Sequence, residues 1–198
     1  MDYRPTPPSL QTSTQPLLHC CETWHVLAAA GERIENHPEK QETWDAIAGM
    51  QRDLLAPLEE RYGVVVLTYG FAGRELVKAI TKRAMAGGWL RNITPKLDQH
   101  ASYELNSNGN RICDRDGIAV DLRVPGQSSD DVSTWVLENL PFDRMYLYGP
   151  DRPFHMSWAP EATRVGQVVR MMPKAGGGLR PQVTVRGRKV GTTTAREP

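Results

Sequence analysis

Two hydrophobic periods alternate along the chain, one near 3.6 residues and one of 2. Leu17, Cys21, Trp24 and Ala28 recur at helical spacing, and Gly31 closes that segment. A second helical period runs from about Glu42 to Arg61 with Ile47, Met50, Leu54 and Leu58 on one face. Pro57 is expected to kink this helix or to restart it at a first turn. Gly63 ends it ahead of a short apolar strand, Val64-Val65-Val66-Leu67-Thr68. A third helix is predicted over Arg74–Met85, with Leu76, Val77, Ile80 and Ala84 inward and Gly87-Gly88 as its stop.

The second half of the chain reads mainly as strands. Asn108-Gly109 predicts a hairpin between Ser102 and Cys113, because this dipeptide suits a tight two-residue turn. Gly117–Val124 reads as a strand, and Asp130–Asn139 as a helix started by Ser128 and Ser129. Met145–Tyr148 and Phe154–Trp158 are the last two predicted strands, joined by the turn Gly149–Pro153. The pattern implies an α+β domain over residues 17–160, with helices packed on one face of a small, mainly antiparallel sheet. A proline-rich leader, residues 1–16, is expected to be unstructured. Residues 161–198 read as a basic, largely flexible tail, with a glycine joint at Ala175–Gly178 and at most one edge strand at Gln182–Val185. No internal repeat is present.

Composition narrows the class. Of 198 residues, 39% are apolar and 24% charged, enough for a proper core. No run approaches the roughly 18 uninterrupted apolar residues of a membrane span. The first residues lack a basic n-region and an apolar h-region, so no secretory signal is expected. The three cysteines, Cys20, Cys21 and Cys113, make no disulfide framework, and a reducing, cytoplasmic setting is the expectation. The net charge of +1 hides an asymmetry. From Arg164 onward eight residues are basic and only Glu197 is acidic, leaving 16 basic and 22 acidic residues in the rest. The body is acidic and the end basic, which suits an acidic partner or a nucleic acid at the tail.

Strand alternation carries the chemistry. In Gly117–Val124, Ile118, Val120, Leu122 and Val124 share one face, leaving Ala119, Asp121 and Arg123 on the other. In the last strand Phe154, Met156 and Trp158 face the core, leaving His155 and Ser157 opposite. Met145 and Leu147 likewise point in, leaving Tyr146 and Tyr148 out. Asp121 and His155 can meet across that polar face, with small Gly117 and Ala119 beside them. His100, ahead of the hairpin, supplies a third ligand. Two imidazoles and one carboxylate suit zinc, and three protein ligands with an open fourth position describe a catalytic site. The alternative from spacing alone is an exposed aspartate with two surface histidines, since the chain holds five histidines. His19, Cys20, Cys21 and His25 are metal-type residues that a packed helix also explains, and Cys113 reads equally as a small buried side chain. No Walker loop, dinucleotide fingerprint or Gly-x-Ser-x-Gly elbow is found.

Longer motifs bear on the choice. Asp53–Gly63 followed by Val64–Phe71 has the form of a helix and strand leading into a functional loop. Asp98-Gln99-His100 and Gly117-Ile-Ala-Val-Asp121 correspond to the two halves of S-x-H-x-x-G-x-A-x-D. Phe142–Tyr148 with Phe154-His-Met-Ser157 corresponds to paired final strands, F-D-x-(apolar)-(apolar) and W-x-H-x-S. In these features residues from about Leu54 to Ser157 resemble the zinc D-alanyl-D-alanine carboxypeptidase family, which shares its fold with the Hedgehog signalling domain. The resemblance covers about half the chain. It implies that His100, Asp121 and His155 hold Zn2+, and that the substrate is a peptide or another amide, as in a cell-wall stem peptide.

The chain also departs from that family. The family separates its first His and its Asp by seven positions, against 21 here, so the extra hairpin must loop out and return. The family places a Glu before its last His to take a proton from water. Tyr148 stands there instead, and a phenol with an ordinary pKa near 10 is a poor base. Asp151 is the nearest carboxylate able to substitute, and Tyr146 or Tyr148 would donate a hydrogen bond to the oxyanion. Tyr69-Gly-Phe-Ala-Gly73 lacks the family's Ser and Arg. Arg74 is displaced by two positions, and Arg123 on the polar face is the other candidate to anchor substrate. The rival reading is the same zinc scaffold without its Glu, serving as a partner- or nucleic-acid-associated binding module. A further alternative puts the function in the basic tail alone. The oligomeric state is left open.

Overall fold

The computed structural model describes residues 34–85 and 95–185. The expected leader, the first helix with His19, Cys20, Cys21 and His25, the Gly87-Gly88 stop, the side chain of Ala84 and residues 186–198 lie outside the described residues. In chain order the elements are α1 (Gln41–Met50), a π-helical turn (Gln51–Leu55), α2 (Ala56–Tyr62), β1 (Val66–Tyr69) and α3 (Arg74–Met85). There follow β2 (Ile118–Arg123), α4 (Ser129–Asn139), β3 (Arg144–Leu147), β4 (Phe154–Trp158), β5 (Gln167–Pro173) and β6 (Leu179–Val185). The fold is α+β, around one open six-stranded sheet in the order β1-β2-β4-β3-β5-β6. The sheet is mixed, because β3 and β5 run parallel while the other neighbours are antiparallel.

The helical face packs as its periodicity predicts. Ile47, Met50, Leu54 and Leu58 are all fully buried against Ile118, Val120, Leu122, Met145, Phe154 and Met156. The helix does not break at Pro57. It widens into the π-helical turn just before it, which accommodates the missing proline N–H and its ring. Gly49 lies under the Trp158 ring, where a Cβ would come within 2.3 Å of the indole. Trp158 Nε1 donates to Asp53 Oδ2 at 2.8 Å, pinning the helical run to β4. Helix α4 begins at Ser128, whose hydroxyl accepts from the Asp130 N–H. Helix α3 departs from the one-face expectation: Leu76 and Ile80 pack in a separate cluster with Tyr69, on the side of the sheet away from α1.

Two further expectations are corrected. The hairpin over 102–113 reduces to a single bridge, Leu105 to Arg111, around a turn in which Asn106 accepts from Asn108 and Asn110. Residues 161–185 are not a loose tail. β5 pairs with β3 from Arg144/Gln167 to Leu147/Arg170, and β6 forms the sheet edge beyond it. The cause is a buried carboxylate that precedes β3. Asp143, 0% exposed, accepts the Val165 N–H at 2.8 Å, and its backbone C=O accepts the Gln167 N–H at 2.8 Å, so it draws the chain back alongside β3.

Candidate metal centre

The site lies on the sheet face opposite α1 and α4. Register sets one row of residues straight across four strands: Tyr69 opposite Asp121, Asp121 opposite His155, and His155 opposite Tyr146. The antiparallel pleat puts all four on the same face. A bulge between Leu67 and Tyr69 in β1 turns Tyr69 onto this face while Leu67 stays with the core.

His100 comes from the segment 95–117 that lies over this face. Gln99 and Ser102 flank it with left-handed backbone, φ of 60° and 50°. Such conformations cost about 1–3 kcal/mol for non-glycine residues and persist only where the surroundings enforce them. The enforcing contacts are visible. Gln99 Nε2 donates to the Asp116 carbonyl at 2.6 Å and to Asp143 Oδ2 at 3.0 Å, and the Ala72 N–H donates to the His100 carbonyl at 3.0 Å. The His100 ring then sits between two others, 4.4 Å from Tyr69 and 5.0 Å from His155, edge-on to both.

Three donor atoms converge. His155 Nδ1 lies 3.0 Å and His100 Nε2 3.5 Å from Asp121 Oδ1, and one ligand atom from each residue lies within 4.8 Å of the others. Around a tetrahedral ion with bonds of about 2.0–2.2 Å, donors stand roughly 3.3 Å apart, so the two distances to Asp121 straddle the spacing that zinc needs. His100 Nδ1 is 2.9 Å from the Gly70 carbonyl, which fixes the ring and leaves Nε2 for the cluster. His155 Nε2 is buried with no partner among the described residues.

No known protein-family model matches this chain, and no curated protein or solved structure matches it significantly.

The electrostatics follow from this packing. Burial alone would disfavour imidazolium at His100, but the Asp121 charge and hydrogen bond outweigh it, and the pKa of His100 is raised. Burial likewise opposes ionisation of Asp121, yet the two imidazoles hold its carboxyl far below the usual carboxylate range. Asp121 is therefore an ionised acceptor facing two rings, a donor set of two nitrogens and one oxygen that fits a borderline divalent ion. Burial, with Asp121 second, pushes Tyr148 well above the ordinary phenol value, so it stays protonated and keeps a hydrogen to donate.

The remaining expected site residues are dispersed. Tyr146 packs edge-on to His155 at 5.2 Å and lines the site. Tyr148, just past β3, shares its face. Asp151 is exposed on the turn 149–153, which is tied to α4 through the Ser129 N–H on the Pro150 carbonyl, and no hydrogen bond or ion pair joins it to His100, Asp121 or His155. Arg74 is engaged by Glu39 at 2.7 Å and Glu75 at 3.6 Å. Arg123 is exposed at the end of β2, two residues along from Asp121. Cys113 is buried and packs on the Lys96 carbonyl, outside the ligand group. Nothing in the linear pattern gives Gly70 or Arg115 a role, and Asp98 stands out only as part of Asp98-Gln99-His100. The Gly70 carbonyl orients His100, Asp98 Oδ1 lies 3.4 Å from the His100 backbone nitrogen, and Arg115 donates to the Tyr146 hydroxyl at 2.9 Å. Only the local crowding of Asp98-Gln99-His100 hinted at any of them.

Proposed function

We propose that this protein is a zinc-dependent hydrolase that cleaves an amide bond, of the kind its resemblance to the D-alanyl-D-alanine carboxypeptidases implies, with a cell-wall peptide as the substrate class. The supporting observation is the convergence of His100, Asp121 and His155 on one point. When bound, zinc polarises a carbonyl and lowers the pKa of its water towards 7. The chain's own residues do the rest in this reading. His100 and His155 would ligate through ring nitrogens, each ring held edge-on by a tyrosine, and Asp121 would supply the negative ligand. Tyr146 and Tyr148 donate hydrogen bonds to the carbonyl oxygen as it gains charge, and the high pKa of Tyr148 suits a donor rather than a base. Asp151 takes the proton.

The rival reading is a zinc-binding module that associates with a partner or a nucleic acid without hydrolysis. What favours it is the pair Tyr148 and Asp151: the first stays protonated, and the second stands on an exposed turn. Elemental analysis beside a His100→Ala variant tests the metal. One zinc per chain in the native protein, falling to background in the variant, is expected; equal content in both defeats the metal reading. Cleavage of a cell-wall stem peptide that Asp151→Asn abolishes while zinc is retained supports the enzyme. Full zinc with no cleavage of any amide tried supports the module.

A further inference from the structure

The last two strands reach past the rest of the sheet. β3 pairs with β5 as far as Leu147 and Arg170, but β5 and β6 go on pairing through Met171/Pro181, Met172/Arg180 and Pro173/Leu179. At about 3.3 Å per residue this leaves an arm two strands wide and about 10 Å long, closed by the turn 174–178. In that turn the Lys174 N–H donates to the Gly178 carbonyl and the Gly177 N–H to the Lys174 carbonyl, both at 3.1 Å. Gly177 and Gly178 take left-handed backbone there, with φ of 86° and 79°. A Cβ on Gly176, Gly177 or Gly178 would meet nothing within 4 Å, so the tip stands in open space. The base of the arm is fixed: Arg170 donates to Asp130 in the first turn of α4 at 2.9 Å, and the Thr184 hydroxyl donates to the Val168 carbonyl at 3.3 Å.

Charge on this part of the chain has one sign. Residues 162–196 include eight basic residues and no acidic one, whereas residues 1–163 hold 16 basic and 22 acidic. Lys174 at the tip and Arg180 on the flank are exposed and form no ion pair among the described residues. Arg180 and Gln182 share one face of β6, and Arg186, Arg188 and Lys189 follow that strand directly in the sequence. Such a field draws a polyanion to the arm and repels it from the body.

Shape then selects among polyanions. Two strands about 4.8 Å apart make a ribbon that the major groove of B-form DNA, about 12 Å wide, admits. The major groove of A-form RNA is too deep and narrow for side chains to read. We propose that the β5–β6 arm is a DNA-binding ribbon, which enters the major groove of a duplex with its glycine tip leading. The tip carries no side chains at Gly176–Gly178, so the backbone approaches the bases closely, while Lys174 and Arg180 meet phosphates on the groove walls. None of these residues belongs to the ligand cluster, so the inference stands apart from the metal reading.

The test is fluorescence anisotropy of the full chain with a labelled DNA duplex of about 20 base pairs, at salt from about 50 to 200 mM. Lys174→Ala and Arg180→Ala are each expected to weaken binding about five-fold and to flatten the log–log salt slope by about 1. Gly176→Glu, which puts a negative charge at the tip where there is room for a side chain, is expected to abolish binding. Lys82→Ala is the control and is expected to change nothing, because α3 packs with Tyr69 of β1, at the other edge of the sheet. Circular dichroism checks that each variant keeps its β-structure. Equal affinity for an RNA duplex or for poly-glutamate overturns the choice of DNA. Loss of binding only in the triple variant Arg186→Ser, Arg188→Ser, Lys189→Ser, with Lys174→Ala and Arg180→Ala unaffected, overturns the arm. No binding of DNA by the native chain overturns the inference outright and leaves the metal reading untouched, just as a native chain without zinc leaves the arm untouched.

Discussion

Glu104 is expected to be among the most costly carboxylates to remove, although it touches no ligand. Its side chain is buried at 1% exposure and accepts the Glu39 N–H at 3.1 Å, the Lys40 N–H at 3.2 Å and the Thr43 hydroxyl at 2.8 Å. Lys40, the cap position of α1, has no side-chain cap of its own, so Glu104 caps that helix from another part of the chain. It also ties α1 to the segment that carries His100, since the Glu104 N–H donates to the Ala101 carbonyl at 3.0 Å. Glu104→Ala strips one cap, worth about 1 kcal/mol, and leaves a buried hydroxyl and two backbone donors short of an acceptor. Partial access of water to the backbone donors keeps the sum near 3 kcal/mol. Glu104→Gln keeps one acceptor oxygen but turns an N–H towards another donor, at a cost of about 1 kcal/mol. Urea unfolding at constant m-value reads both. The pH dependence gives a second check. Burial raises the carboxyl pKa above its ordinary value in spite of these hydrogen bonds. A folded pKa above the unfolded one means that the folded state binds more protons in the interval between them, so the group's contribution is largest below the ordinary carboxylate pKa and declines as pH rises through the raised value. The stability gap between native protein and Glu104→Gln, which does not titrate, therefore narrows as pH rises across that interval. A cost under about 1 kcal/mol for Glu104→Ala would refute the capping argument, and a gap that widens with pH would refute the dominance of burial over these hydrogen bonds.

Zinc affinity is expected to fall as pH drops through the raised pKa of His100, because imidazolium cannot ligate; competition against a chelator between about pH 8 and 6 reads this, and a flat profile counts against His100 as a ligand. Truncation after Pro160 removes β5 and β6, uncovers the β3 edge and deletes the buried Val168 and Val169, so the fragment is expected to lose cooperative melting by circular dichroism. A fragment that melts like the full chain would show instead that residues 161–198 are dispensable to the fold.

The sequence made the ligand pair on β2 and β4 legible, because alternation there is clean. Ile118, Val120, Leu122, Phe154 and Met156 all reach the core, and Asp121 and His155 emerge as direct cross-strand neighbours. His100 was legible only as a residue type. Its position depends on the left-handed turns at Gln99 and Ser102 and on the buried amide of Gln99, none of which has a distinctive linear signature. The last two strands were obscured by their own chemistry. Pro173, Pro181 and three consecutive glycines read as a break, yet β6 is the sheet edge, where a proline's missing N–H is tolerated. Their pairing is dictated by Asp143, twenty residues and more away, and no local period reports it. The contacts of Arg115 with Tyr146 and of Arg152 with Tyr148 were hidden for the same reason, since they come from tertiary proximity alone.

The row that crosses four strands has a kinetic consequence. Its members come from stretches scattered over some eighty positions, and β1 reaches β2 only across the long intervening excursion that includes His100. Closing such loops is slow, and it must be complete before any ion can meet all three donors at once. On the proposed metal reading, uptake of an ion would be a terminal event in the maturation of this chain, and the rate at which a chelator-resistant ion appears would measure when β1, β2 and β4 have come together.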